Sequence, residues 1–235
     1  GVTTLSQNDI ARKIYAYIED NITYSSLDFR QSGYVPQKPS KTITTKLGDC
    51  KDVSTLFVAL AKHAGLKANL VLVSTNDNGY KNLPLPAMDF NHCIAKVQID
   101  NKDYFLELTN KYLPFKAMPR SLYNANALVI SFDKAENEKS QLISIPFTNA
   151  LLDKVETTTT VDITDTNKKF TNKHTLYGSL KSYYNELFSN ATSDDVRKKE
   201  LEDLFNDSLK KNISLQSNKL LTTDRYNEAI SFETQ

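Results

Sequence analysis

Five consecutive residues, Gly48-Asp49-Cys50-Lys51-Asp52, constrain this chain most. Behind them Val53, Leu56, Phe57, Leu60, Ala61 and Ala64 recur at i, i+3, i+4, i+7, i+8 and i+11, the spacing of one buried helical face. Gly65 follows as a C-terminal stop. The pattern therefore predicts a helix that begins at Cys50 and packs its far side into a core. The start of a helix carries partial positive charge and unpaired N–H groups. Both favour a thiolate, the nucleophilic form of cysteine, and the same N–H groups can bind an oxyanion. The competing reading of Cys50 is a small buried hydrophobe.

The 235 residues suffice for one large domain or two small ones. A net charge of +1 argues against a basic nucleic-acid footprint. Lysine far outnumbers arginine, so bidentate phosphate or carboxylate clamps are scarce. No apolar run approaches the length of a membrane span. Residue 1 is glycine and no charged-then-apolar leader follows it, so a processed product is expected, its targeting segment already gone. Cys50 and Cys93 do not make a disulfide framework in a chain this long.

Residues 6–20 read as a helix, with Ser6 as N-cap and Ile10, Ile14, Tyr17 and Ile18 as its apolar stripe. Residues 21–47 read as a long irregular segment punctuated by Gly33, Pro36 and Pro39. Beyond the Cys50 helix, 66–74 reads as a buried strand and 75–90 as a loop. Strand patterns at 91–99 and 103–109 flank Asp100-Asn101-Lys102 and predict a hairpin. A further strand is expected at 127–132. Composition shifts at the charged run 133–140, which places a domain boundary at 138/139. Then Val155 to Thr164 alternates as a half-exposed strand, and a second strand is expected near 169–177. Helices are expected at 179–189 and 194–210, and a weak strand at the end.

A cysteine nucleophile needs a base, and the base needs a third group to orient it. His63 lies at the far end of the Cys50 helix, about 20 Å away along its axis. His174 falls in an expected second-domain strand with no motif beside it. His92 begins a strand directly after a long loop, held by the sheet yet reachable. With Asp100 and Asn101 as turn residues, 99 opposes 102 and 94 opposes 107. Side chains alternate along a strand, so Glu107 lies diagonal to His92 on one face, within reach of a long side chain. Asp103 shares that face but sits at the closed end, and Asp89 is on the loop. Glu107 is the expected orienting carboxylate.

Taken together, these pieces resemble the transglutaminase-like superfamily, a branch of the papain-like cysteine enzymes. The matching stretches are Ile22-Thr23-Tyr24, Gly33-Tyr34-Val35-Pro36-Gln37, Gly48-Asp49-Cys50-Lys51-Asp52, Gly65-Leu66-Lys67-Ala68, Phe90-Asn91-His92 and Phe105-Leu106-Glu107-Leu108-Thr109. The resemblance covers roughly residues 7–120 and follows the family's order of Cys, His, carboxylate. It looks most like the bacterial multidomain form with flanking β-rich domains, of which the upstream one is expected to be missing from this sequence. The family uses Cys–His–Asp; Glu107 is one methylene longer.

The fold expected is therefore α+β: a transglutaminase-like (papain-like) core over 1–138, with its Cys-bearing helix on an antiparallel sheet, then a β-rich domain with two helical segments over 139–235. The function the resemblance implies is cysteine-dependent acyl transfer on amide bonds, above all hydrolysis of a peptide or isopeptide-type bond through a thioester acyl-enzyme. Cys50, His92 and Glu107 would be catalytic, with Gln37 as a second oxyanion donor. Two alternatives stand beside it: a catalytically inactive binding or assembly module that keeps the core, and a protein-crosslinking transglutaminase. A protein or peptide substrate and an extracytoplasmic location, periplasmic or cell-surface, are implied. No cofactor or metal is expected; the calcium of the crosslinking animal enzymes has no Asp-x-Asp-type loop to hold it here.

Overall fold

The structure, a computed structural model, describes residues 5–25, 35–78, 89–132, 137–147, 153–210, 213–222, 224 and 226–235. Gly33 and Tyr34, most of the 75–90 loop and part of the charged run 133–140 lie outside these residues. The chain forms two compact units, one of Gly1–Lys111 with Phe115–Ala150, the other of Tyr112–Pro114 with Leu151–Gln235. The fold is mixed α+β with antiparallel sheets, as expected.

The first unit opens with helix α1 (Gln7–Asn21), whose N-cap Ser6 accepts the Asp9 N–H. Strand β1 (Thr23–Tyr24), helix α2 (Pro39–Thr45) and strand β2 (Leu47–Gly48) follow, with β1 and β2 paired in parallel. The segment expected to be irregular thus holds a short helix, started by Pro39 at its first turn and ended by Lys46 at φ 55°. Proline's fixed φ and missing donor suit that first position.

Helix α3 (Cys50–His63) then leads into a five-stranded antiparallel sheet. Its strands are β3 (Ala68–Ser74), β4 (His92–Ile99), β5 (Lys102–Leu106), β6 (Asn126–Ile130) and β7 (Gln141–Ser144), in the order β5-β4-β3-β6-β7. One face packs under α1 and α3 through Ala11, Ile18, Leu56, Phe57, Ala95 and Val97. The other is covered by a second cluster that includes Val71, Ile94, Phe105, Leu122 and Ile145. Both faces being buried explains the near-continuous apolar run of β3. Strand β7 lies beyond the expected boundary at 138/139 yet pairs with β6, and the compact units divide between Ala150 and Leu151.

The second unit contains β8 (Val155–Ile163), β9 (Lys168–Tyr177), α4 (Gly178–Asn190), α5 (Asp194–Leu209), β10 (Asn218–Leu220) and β11 (Ala229–Thr234). Its sheet runs β10-β11-β9-β8, and its core joins Leu176, Tyr184, Phe188, Leu201, Ile230 and Phe232. Strand β8 alternates in sequence, but all nine of its residues are exposed. As the edge strand it lies outside that core, so its alternation is not matched by burial.

Candidate active site

Asp49 caps α3, and its carboxylate accepts the N–H groups of Lys51 at 2.9 Å and Asp52 at 3.1 Å. Asp52 answers from the first helical turn, accepting the Asp49 N–H at 3.1 Å. This reciprocal capping box leaves Cys50 as the first helical residue. The Lys51 ammonium sits 2.8 Å from Asp49. Burial pushes the Asp49 carboxyl up, but that ammonium and the helix N–H donors outweigh it and hold the carboxyl below its usual range. Cys50 is partly exposed, whereas Cys93 is buried.

His92 stands at the start of β4, where Val73 of β3 is its partner. The β4–β5 turn has Asp100 at φ 50° and Asn101 at φ 63°, both left-handed as a two-residue I′ hairpin demands. Ile99 then pairs with Lys102 and Ala95 with Leu106, the register counted from sequence. The ladder ends there, one residue before Glu107. The side chains meet: His92 Nε2 lies 2.7 Å from Glu107 Oε2. Glu107 is 3% exposed and His92 17%.

Burial alone would disfavour a charged His92, but the influence of Cys50 and the hydrogen bond and negative charge of Glu107 overcome it and raise the imidazole to about 10. Since Nε2 is taken by Glu107, Nδ1 is the ring nitrogen left for Cys50. Burial likewise pushes Glu107 up, and His92 together with the Thr109 hydroxyl and N–H outweigh it, so this carboxyl sits below its ordinary range. The arrangement places a thiol, an imidazole held as a cation and a buried carboxylate in one chain of contacts.

Gln37 sits on the segment before α2. Its backbone N–H donates to Asp52 Oδ1 at 2.8 Å and its side-chain amide to the Leu47 carbonyl at 2.8 Å. The amide nitrogen carries two hydrogens, so one N–H remains beyond the Leu47 bond. His63 ends α3, and His174 of the second unit lies between the hydroxyls of Thr157 and Thr234, each at 3.1 Å. Neither joins the Cys50 group.

Three contributors escaped sequence reading. Asp52 completes the capping box and fixes Gln37; its signal was an acid three residues after an N-cap. Thr109 holds Glu107, with no signal beyond a hydroxyl two residues from a carboxylate. Tyr24 reaches the site because β1 pairs with β2, setting Tyr24 opposite Gly48. Burial, then the charges of Cys50, Asp49 and Glu107, push its phenol up. Tyr24 and Thr109 also line a cavity of about 440 Å³ with Tyr15, Ile18 and Leu108. Among the described residues no three His, Cys, Asp or Glu side chains converge as a metal-binding group. Nor is any helix there long and apolar enough to cross a membrane.

The model of the transglutaminase-like superfamily matches residues 2–106. No curated protein matches the chain. Among solved structures, the chain is similar to a candidate protease from Parabacteroides distasonis, at 13% identity and a TM-score of 0.44, over 62% of this chain and 26% of that one. It is also similar to a candidate cysteine protease from Cytophaga hutchinsonii, at 16% identity and a TM-score of 0.34, over 59% of this chain and 45% of that one. The chain thus covers about a quarter of the first structure and under half of the second. Residues 2–106, which carry both Cys50 and His92, are similar to the transglutaminase-like superfamily.

Proposed function

We propose that this chain is a cysteine-dependent acyl-transfer enzyme acting on amide bonds, and that its reaction is hydrolysis of a peptide or isopeptide-type bond. The observation that carries this reading is the position of His92, 2.7 Å from buried Glu107 and near enough to Cys50 for the two to interact electrostatically. A nucleophile, a base and an orienting group in that order define a triad by role. An inactive module would leave Glu107 free to turn away from His92, and the 2.7 Å contact weighs against that alternative.

In the proposed reaction the Cys50 thiolate attacks the carbonyl carbon, forming a C–S bond and an oxyanion. The N–H groups of Lys51 and Asp52 are spent on the Asp49 cap, and that of Val53 on the Asp49 carbonyl. The Cys50 N–H has no bonded acceptor among the described residues, so it is the amide available to the oxyanion. The second N–H of the Gln37 side chain is the companion donor. His92 gives its proton to the departing amine as the C–N bond breaks. It then takes a proton from water, which attacks the thioester carbonyl; the C–S bond breaks, releasing a carboxylic acid and the thiolate. Glu107 keeps the imidazole oriented and offsets its charge throughout.

An amidase and peptidase screen of wild type, Cys50→Ala, His92→Ala and Glu107→Gln tests the reading. The first two substitutions should abolish turnover. Glu107→Gln should lower kcat by on the order of 10²- to 10⁴-fold with the fold intact. Full activity in Cys50→Ala overturns the mechanism. Added primary amine appearing in the product in place of water would assign the chemistry to crosslinking.

A further inference from the structure

Glu107 is bound at both oxygens. Oε2 faces His92, while Oε1 accepts the Thr109 backbone N–H at 2.6 Å and the Thr109 hydroxyl at 2.7 Å. β5 ends at Leu106, so ladder pairing does not hold the backbone that carries Glu107 and Thr109. Glutamate has one more rotatable bond than aspartate, and each free rotor weakens a fixed hydrogen bond through entropy. Two donors from a single residue, converging on one oxygen, remove that freedom and aim the other oxygen at the imidazole. A carboxylate hydrogen bond of this kind is charge-assisted, about twice as strong as a neutral one.

We propose that Thr109 is the positioning residue of this site: its paired donors lock Glu107 so that Oε2 stays on His92, which lets a glutamate serve as the orienting acid. The proposal rests on the triad reading but is tested apart from turnover. The other titratable groups that sense this carboxylate are Tyr15 on α1 and Tyr24 on β1, and Asp77 senses the charge on His92.

The experiment follows the His92 ring by NMR of histidine-labelled protein across pH, with the rate of Cys50 alkylation measured on the same samples. The variants are Thr109→Val, which keeps shape and backbone N–H but removes the hydroxyl, and Thr109→Ser, which restores it. Thr109→Val should move the His92 titration to lower pH and slow Cys50 alkylation by roughly tenfold, the worth of one hydrogen bond to a charged group. Thr109→Ser should match wild type in both. A Thr109→Val protein with wild-type titration and alkylation overturns the proposal, whatever its melting temperature. Should that variant not fold, wild type and Glu107→Gln decide. The Thr109 amide shift should titrate in acid with Glu107 in wild type and stay flat in Glu107→Gln; the same behaviour in both overturns it. Activity surviving in Cys50→Ala would instead remove the proposed reaction and leave the Thr109 lock standing.

Discussion

Ser54 Oγ donates to the Cys93 carbonyl at 3.1 Å across a buried contact. Ser54 lies one helical turn beyond Cys50, and Cys93 is the residue after His92. This bond therefore ties the helix that carries the thiol to the strand that carries the base. Van der Waals packing can slide by fractions of an ångström; a buried hydrogen bond fixes both distance and direction.

Ser54→Ala should lower stability by about 1–3 kcal/mol, because a buried acceptor loses its donor. It should also slow Cys50 alkylation, since one buried hydrogen bond between the two halves of the site is then gone. Denaturant midpoints and alkylation rates on the same variant check this. A stability loss with an unchanged Cys50 rate would show that the tie serves the fold and not the site.

The two cysteines should differ sharply in reactivity. Cys93 is 2% exposed, and burial, reinforced by the nearby charge of Cys50, pushes its thiol up to about 12. Cys50 is partly exposed and lies within electrostatic reach of His92. Iodoacetamide at neutral pH should modify Cys50 in the native protein and reach Cys93 only after unfolding. Mass spectrometry of peptides from briefly labelled protein reads the outcome; equal labelling of the two would refute it.

The hairpin half of the site was legible because local rules suffice there. Asp100-Asn101 tolerates the left-handed turn, the turn sets the register, and the register holds up to Leu106, the residue before Glu107. The α3 start was legible for a similar reason: a capping aspartate, then a 3.6-residue apolar period. The short helix Pro39–Thr45 was not, since its Ile and Thr residues favour strands in isolation. Its buried Thr42 points to packing as the term that overrides that preference. The β1–β2 pairing and the Gln37–Asp52 bond were equally hidden, because pairing across 15 or more residues leaves no period in the sequence.

Stability should pass through a maximum in mildly acid solution that the His92–Glu107 pair creates. His92 is raised from 6.5 to about 10, so its contribution is complete below pH 6.5 and is lost as pH rises through about 10. Glu107 is depressed from 4.5, so its contribution is complete above pH 4.5 and is lost as pH falls through the folded value. Both are whole only between 4.5 and 6.5. The stability difference between wild type and Glu107→Gln should peak in that window and shrink on either side. Urea midpoints of the two proteins across the pH range measure it, and a flat difference would contradict the assignment.

Gly48 is the final point at which backbone geometry controls the nucleophile. A Cβ there would lie 2.9 Å from Asp52 Cβ, with Thr42 Cγ2 and Val53 Cγ1 at 3.3 Å. The nearest of these is the root of a side chain, which cannot swing aside. Asp52 would have to shift, and its oxygens hold both the Asp49 N–H and the Gln37 N–H. Gly48→Ala should therefore cost about 1–3 kcal/mol as an overpacked site and slow Cys50 alkylation by displacing the helix start. Gly65 supplies the control. It sits at φ +84°, and an added Cβ there would meet nothing within 4 Å, so Gly65→Ala costs about 1 kcal/mol through backbone strain alone. Gly65→Ala should leave the Cys50 rate at the wild-type value. If the two variants slow Cys50 equally, the rate follows global stability, and the close approach of Gly48 to Asp52 has no special part in setting the thiol.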